Sequence, residues 1–321
     1  MNKNTVLKLA RQEKQDEFYT QLSDIEMELQ HYPADVFSGK VVLCNCDNPD
    51  HSNFWRYFHK RFKAKGLKKL IAIHYSISEP AYKKEYTGGA DEEITAGVMT
   101  PLCGDGDFRS DECIDILREA DIVVTNPPFS LMIPYLMQIM EYHKQFIIIG
   151  NMNIVLCKSL TPYFVNNQVW TGVTNFNKGM YFIVPGDFKY RSTYDNRREI
   201  GEEKASRVSG CCWFTNIAAC RPYRWIDTNA RYDPDKYPML ENYDAINVNS
   251  LAEIPMDYTG VMAVPCTFID KYNPEQFELL GLDSEFTYDG AKGLLNGKRL
   301  YARLFIKARH PLETAKGLIN S

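Results

Sequence analysis

The chain has 321 residues, 45% of them hydrophobic and 24% charged, and its formal net charge is −4, from 37 Lys and Arg against 41 Asp and Glu. That length suits one large α/β domain with an appended lobe, and the composition is that of a soluble globular protein. A uniformly basic nucleic-acid coat, a membrane span of ~20 apolar residues and a zinc-finger or disulfide framework do not fit: the nine cysteines are odd in number and none are in Cys-x-x-Cys spacing.

In chain order, residues 7–31 predict a helix with Leu22, Ile25 and Leu29 at helical spacing, closed by Pro33 and Gly39. Lys40 to Cys46 reads as a first strand, Ser52 to Lys65 as a helix ended by Gly66, and Leu67 to Tyr75 as a second strand. Residues 76–97 are polar and without period, which suits a loop or a weak hairpin. A helix at Asp111 to Glu119, a strand at Asp121 to Thr125, a helix at Ser130 to Tyr142 and a buried strand at Gln145 to Gly150 follow. Strands alternating with helices mean βαβ units, an α/β fold and a mostly parallel sheet.

After Asn151 the candidates are short strands: Val169 to Thr171, Met180 to Val184, Cys211 to Thr215 and Val261 to Phe268. A charged, mobile loop is expected over 187–209 and irregular structure over the Pro- and Tyr-rich residues 221–260. The expected division is one domain over 1–220 and a C-terminal region over 221–321 packed onto it. Cationic residues concentrate in two places. Arg56, Lys60, Arg61, Lys63, Lys65, Lys68 and Lys69 read as the solvated face of a helix in preference to a DNA contact. Lys292, Lys298, Arg299, Arg303, Lys307, Arg309 and Lys316, with Glu313 the one acid among them, read as a DNA contact in preference to a solvated surface. Residues 1–11 lack the apolar core of a signal peptide, so a cytoplasmic protein is expected.

The most telling segment is Asp121-Ile-Val-Val-Thr-Asn-Pro-Pro-Phe129. A β-branched strand is stopped by two prolines, leaving a rigid loop at the carboxyl end of a strand, where open α/β sheets bind ligands. Asn126 Oδ1 and the Pro127 carbonyl can accept the two N–H bonds of a planar amine, with Pro128 fixing the loop and Phe129 stacking on the ring. The plainer reading is a turn that ends a strand and caps the next helix.

Further segments surround it. Phe18-Tyr19-Thr20 precedes the first strand, and Asn45-Cys46-Asp47-Asn48-Pro49 follows it without a Gly-x-Gly turn. The second strand ends at His74-Tyr75-Ser76 with no acid, so a nucleotide bound at such a sheet would have to have its ribose met otherwise, as by Tyr75. Asp105-Gly106-Asp107-Phe108 offers a carboxylate beside a ring; its Asp-Gly-Asp lacks the remaining ligands of a calcium loop. Trp213 and Phe214 alternate on a strand, so one can serve the core and the other a ligand, or both the core.

Together, Asp16-Glu-Phe-Tyr-Thr-Gln21, Cys44-Asn-Cys-Asp47, Gly106-Asp-Phe-Arg-Ser110, Thr125-Asn-Pro-Pro-Phe-Ser130 and Asn273-Pro-Glu-Gln-Phe-Glu-Leu-Leu-Gly281 resemble the EcoRI-type adenine-specific DNA modification methylases. The resemblance implies a Rossmann-like methyltransferase sheet with helices on both faces and a C-terminal target-recognition region. It implies S-adenosylmethionine as cofactor, no metal, and transfer of a methyl group to N6 of a flipped-out adenine in double-stranded DNA. Phe18, Tyr19, Thr20, Asn45, Cys46, Asp47, Pro49, Asp105, Asp107 and Phe108 would hold the cofactor. Asn126, Pro127, Pro128 and Phe129 would carry catalysis, and Trp213 or Phe214 would stack on the base. A monomer is implied, linked to any restriction endonuclease only genetically. The same loop also occurs in methyltransferases of RNA or protein glutamine, and a non-catalytic DNA-binding protein on this scaffold is a further alternative.

Overall fold

The computed structural model describes residues 18–46, 48–89, 96–176, 178–184, 197–219 and 225–310. The chain forms two compact units, one of Met1–Asn151 with Thr171–Arg221 and one of Met152–Trp170 with Pro222–Ser321.

The strands begin with β1 (Tyr19–Thr20), β2 (Val41–Cys44), β3 (Lys69–His74), β4 (Tyr82–Tyr86), β5 (Val98–Pro101), β6 (Ile122–Thr125) and β7 (Gln145–Asn151). They continue with β8 (Trp170–Thr171), β9 (Met180–Ile183), β10 (Arg197–Ile200), β11 (Glu203–Val208) and β12 (Cys211–Thr215). Among the described residues eight of them form a mixed sheet in the order β5-β4-β3-β2-β6-β7-β12-β8. β2 is parallel to β3 on one side and to β6 on the other, and β6 is parallel to β7. β4 and β12 run antiparallel to β3 and β7. The central strands are all but continuous apolar runs because both faces are covered: every residue of β2 and β6 is buried. Around them lie Val42, Val124, Ile147, Ile149, Phe54, Trp55, Phe58 and Trp213 as one core.

The helices obey their caps. Ser52 Oγ accepts the Phe54 and Trp55 N–H groups and starts the helix Asn53–Lys60, whose Phe54, Trp55, Tyr57 and Phe58 are buried. Ser110 caps Asp111–Glu119 through the Cys113 N–H, with Asp111 and Glu112 in the positive first turn. Of the first cationic cluster, Arg61 pairs with Glu26 at 2.6 Å, Lys69 bridges Glu85 and Glu119, and Lys65 lies over the Phe37 ring. These contacts serve the fold, and the three residues lie beyond the helix: Arg61 caps it, Lys65 is in the turn that follows and Lys69 begins β3.

Several expectations are revised. The helix expected over 7–31 is confined, within the described residues, to Leu22–Leu29 after the short strand β1. Residues 76–97 contribute β4, which pairs with both β3 and β5 and so extends the main sheet. The loop expected over 187–209 contains the β10–β11 hairpin, paired from Arg197↔Ser206 to Ile200↔Glu203; residues 187–196 lie outside the described set. Glu199, Glu202, Glu203 and Lys204 are exposed around the hairpin's turn, and the hairpin belongs to a four-stranded antiparallel sheet, β1-β9-β11-β10.

In the second unit β13 (Ile246–Asn247), β14 (Val261–Pro265), β15 (Phe277–Leu282) and β18 (Arg303–Ala308) form a sheet in the order β13-β14-β18-β15, and β16 (Leu294–Leu295) pairs with β17 (Lys298–Arg299). The strand expected to Phe268 stops at Pro265 and continues as the 3-10 helix Cys266–Lys271. Gln276 explains part of the 273–281 segment. Its buried amide exchanges two bonds with the backbone of Ile226, at 2.8 and 2.6 Å, and so pins the irregular stretch. No helix among the described residues is long and apolar enough to cross a membrane.

Candidate active site

The chain passes from β2 out to β3 and returns to β6 on the other side of β2, so the strand order reverses between β2 and β6. Loops leaving the carboxyl ends of such a pair flank a natural crevice. Here they are the Asn45–Cys46 turn and the Asn126 loop. The Thr125 hydroxyl donates to the Asn45 carbonyl, and the Tyr135 hydroxyl donates to Asn45 Oδ1, tying both strand ends to the helix Met132–Glu141. Asn45 is thereby the joint between the two strand ends and that helix. Burial pushes the Tyr135 phenol well above its ordinary range, so it stays a hydrogen-bond donor.

Cys46 answers the missing Gly-x-Gly. Its φ is +77°, the left-handed region that a glycine adopts freely. A side chain there costs about 1 kcal/mol, and such strain collects at functional turns. Pro49 is buried behind the turn, and Asp47 lies outside the described residues.

Asn126 is only 6% exposed. Its Nδ2 donates to the Phe18 carbonyl at 2.6 Å, which fixes the orientation of the amide. Its Oδ1 is buried and has no partner. The Pro128 carbonyl is spent on the Leu131 N–H at 2.9 Å, whereas no donor reaches the Pro127 carbonyl among the described residues. Two acceptors thus remain open on one rigid loop. A buried unpaired acceptor costs about 1–3 kcal/mol, so its retention points to a ligand donor.

Phe129 forms a ring cluster beside these acceptors. Phe18 and Phe182 lie 5.6 and 5.8 Å from it, and 5.7 Å from each other. Phe182 is fully buried and was not singled out in the sequence, because 53 positions separate it from Phe129 and only the β1–β9 pairing (Thr20↔Phe182) unites them. Thr20, one residue from Tyr19, is also buried; its Oγ1 has no partner, while its carbonyl accepts from Asn53 Nδ2 at 2.8 Å.

The Asp105–Phe108 segment docks on the end of β3. The Asp105 carbonyl accepts the Ser76 N–H at 2.9 Å, and a Cβ on Gly106 would come 2.8 Å from the His74 carbonyl, so only glycine (φ +80°) fits there. Asp107 is clamped by Arg109 through Nε at 3.0 Å and Nη2 at 2.6 Å. Phe108 is buried edge-on against Tyr135, 5.0 Å away, and its carbonyl accepts from Gln138 Nε2. Tyr75 abuts the same turn, its Cα 3.2 Å from that Cβ position. Beside it the near-buried Lys84 (1% exposed) pairs with Asp50 at 3.0 Å and lies over Trp55, and the Tyr82 hydroxyl donates to the same Asp50.

Trp213 and Phe214 are both fully buried, Trp213 edge-on to Phe54. Neither ring is presented to a base in this structure; β12 is central enough in the sheet that both of its faces are covered. The half-buried ring beside the open acceptors is Phe129. No cluster of three or more His, Cys, Asp or Glu able to hold a metal occurs among the described residues.

The family described as adenine-specific methyltransferase EcoRI matches residues 6–310 of the chain. The Type II methyltransferase M.EcoRI of Escherichia coli is 42% identical, covering 95% of this chain and 96% of its own. The Type II methyltransferases M.MpnI of Mycoplasma pneumoniae and M.MgeORF184P of Mycoplasma genitalium are 38% and 36% identical, covering 94% and 93% of this chain and 97% of each of theirs. No solved structure matches.

Proposed function

The chain belongs to this family of adenine-specific methyltransferases, and we propose that it methylates N6 of one adenine in a specific duplex DNA site, with S-adenosylmethionine as donor, as the modifying half of a restriction-modification pair. The observation that carries the reading is the buried, unpartnered Asn126 Oδ1 beside the open Pro127 carbonyl and the Phe129 ring. An amino group has two N–H bonds to give, and this loop has two acceptors to receive them.

The target atom lies inside the stack, so the adenine must be flipped out, at a cost of a few kcal/mol. Phe129 then stacks on the base, with Phe18 and Phe182 holding that ring in place. Asn126 Oδ1 and the Pro127 carbonyl draw N6 towards sp³ geometry and expose its lone pair. Their dipoles also stabilise the positive charge that develops on nitrogen, and they are already oriented before the base arrives. No strong base is needed before transfer, since a neutral amine is the attacking group.

The crevice fits the donor. Thr20 Oγ1 supplies an open buried polar atom for its methionine end. Asp105, Asp107 and Phe108, docked against Tyr75, supply the carboxylates and ring for its adenine, and the Asn45–Cys46 turn with Pro49 lines the approach. When bound, S-adenosylmethionine supplies a methyl group carried on a cationic sulfur. The sheet order around β2 supports a Rossmann-like assignment; catalysis is assigned to residues 1–220 and target recognition to 221–321, although residues 152–170 group with the C-terminal unit. A monomeric enzyme is part of the proposal.

The test is methyl transfer from labelled S-adenosylmethionine to unmethylated genomic DNA, followed by nucleoside mass spectrometry and mapping of modified sites. N6-methyladenine confined to one motif is the expected result. Intact cofactor binding with no DNA product would redirect the assignment to RNA or protein substrates.

A further inference from the structure

β13 runs parallel to β14 and β18 antiparallel to it, so the carboxyl ends of β13 and β14 and the start of β18 lie at one edge of the C-terminal sheet. That edge gathers Asn247, Asn249 and Arg303, with Arg303 opposite Pro265. Asn249 Oδ1 accepts from Asn247 Nδ2 at 3.0 Å and, more weakly, from Arg303 Nη2 at 3.3 Å. The remaining capacity is unmet. Asn247 is 4% exposed, yet its Oδ1 has no partner, and Arg303 Nε is buried without an acceptor. No carboxylate among the described residues pairs with Arg303, and burial pushes its guanidinium below its ordinary range. Asp283 acts on Arg303 only through its field, with no ion pair, so a partly buried cation with an unsatisfied Nε lies next to a buried acceptor without a donor, which is costly in the isolated protein and points to a ligand.

The mixture of open groups identifies the ligand. A phosphate presents acceptors only and could not use Asn247 Oδ1. The edge of a nucleic-acid base presents donors and acceptors side by side, and a guanidinium fork matches the paired acceptors of guanine. The surroundings suit DNA. Tyr301, two residues before Arg303, is 89% exposed, and Lys292 and Lys298 are exposed with no carboxylate partner among the described residues. The segment bearing them is rigid. Buried Asn242 accepts the Leu294 N–H and donates to Asp289 and the Lys292 carbonyl, while buried Asp283 accepts the Gly293 N–H. Cations held on a pinned loop attract the backbone, which leaves the Arg303 fork to read sequence.

We propose that Arg303 is a specificity-determining residue that reads a guanine edge in the target site, held in position by Asn249 and Asn247. The proposal rests on the DNA-methylation reading above. Wild-type sites are first mapped through N6-methyladenine; kcat/KM is then measured on the cognate duplex and on duplexes altered one base pair at a time. Arg303→Ala should lower kcat/KM on the cognate duplex about 5- to 150-fold and erase discrimination at one G·C pair while preserving it elsewhere. Arg303→Lys should not restore it, because an ammonium lacks the fork. Asn249→Ala, at an exposed position, should blunt discrimination at the same pair, and it carries the test if Arg303→Ala does not fold. A uniform loss on all duplexes, repaired by Lys and accompanied by a shallower salt dependence, would mean a phosphate contact and overturn the proposal, as would unchanged discrimination. A wild-type protein that leaves DNA unmethylated would overturn the DNA-methylation reading, and this proposal with it.

Discussion

Asn126→Ala separates a catalytic acceptor from a structural one. In the free protein the amide makes one bond, to the Phe18 carbonyl, and leaves Oδ1 buried and unpaired. The bond is worth about 0.5–1.5 kcal/mol, and the orphaned oxygen costs about 1–3 kcal/mol. Truncation removes both, so the two terms largely cancel. Stability should change by no more than about 1 kcal/mol, a melting-temperature shift of about 2–4 °C for a unit of this size. Methyl transfer should fall by about 10²–10³, the loss seen when one preorganised dipole is removed from a developing charge. Single-turnover transfer to the cognate duplex, a thermal melt and calorimetric titration with S-adenosylmethionine form the assay. Transfer at the wild-type rate would refute the reasoning. So would a large drop in melting temperature with cofactor binding lost in parallel, which would make Asn126 a structural residue.

Phe129→Ala removes the proposed stacking platform and should lower kcat/KM by about 5- to 150-fold, the worth of one base–aromatic stack, with Phe129→Tyr retaining most activity; equal activity of all three proteins would dismiss the stacking role. The Asp50–Lys84 pair should be asymmetric, because Lys84 is buried and Asp50 is half exposed. Asp50→Ala strands a buried ammonium and should cost about 3 kcal/mol, whereas Lys84→Met leaves a hydrated carboxylate and should cost clearly less; thermal melts in the reverse order would contradict this. Burial pushes the Cys211 thiol up to about 12, while Cys103 is exposed. Iodoacetamide at about pH 8 should therefore label Cys103 in the native protein and spare Cys211 until denaturant is added, as read by peptide mass spectrometry. Native labelling of Cys211 ahead of Cys103 would show the β12 core to be open.

Local chemistry made much of this protein legible before any fold was known. Apolar runs bounded by turn residues placed β2, β6, β7 and β12 to within a residue or two of where they lie. The Asn-Pro-Pro-Phe loop could be read because two prolines admit few conformations, so its rigidity is written into the residues themselves. Charge and polarity were weaker guides: they hid the β10–β11 hairpin and left β4 undecided between a loop and a hairpin, where strand pairing overrides a polar sequence.

Other features exist only through contacts far apart in the chain. Left-handed Cys46 in place of a glycine, Phe182 closing the ring cluster, the Tyr135–Asn45–Thr125 tie and the joint burial of Trp213 and Phe214 have no local signature. So too with the edge where Asn247, Asn249 and Arg303 meet, which strand order creates from segments more than 50 residues apart. Short-range sterics and hydrophobic pattern set which elements form and which loop carries chemistry. Which atoms are left without partners depends on every neighbour at once, and only the folded chain decides that.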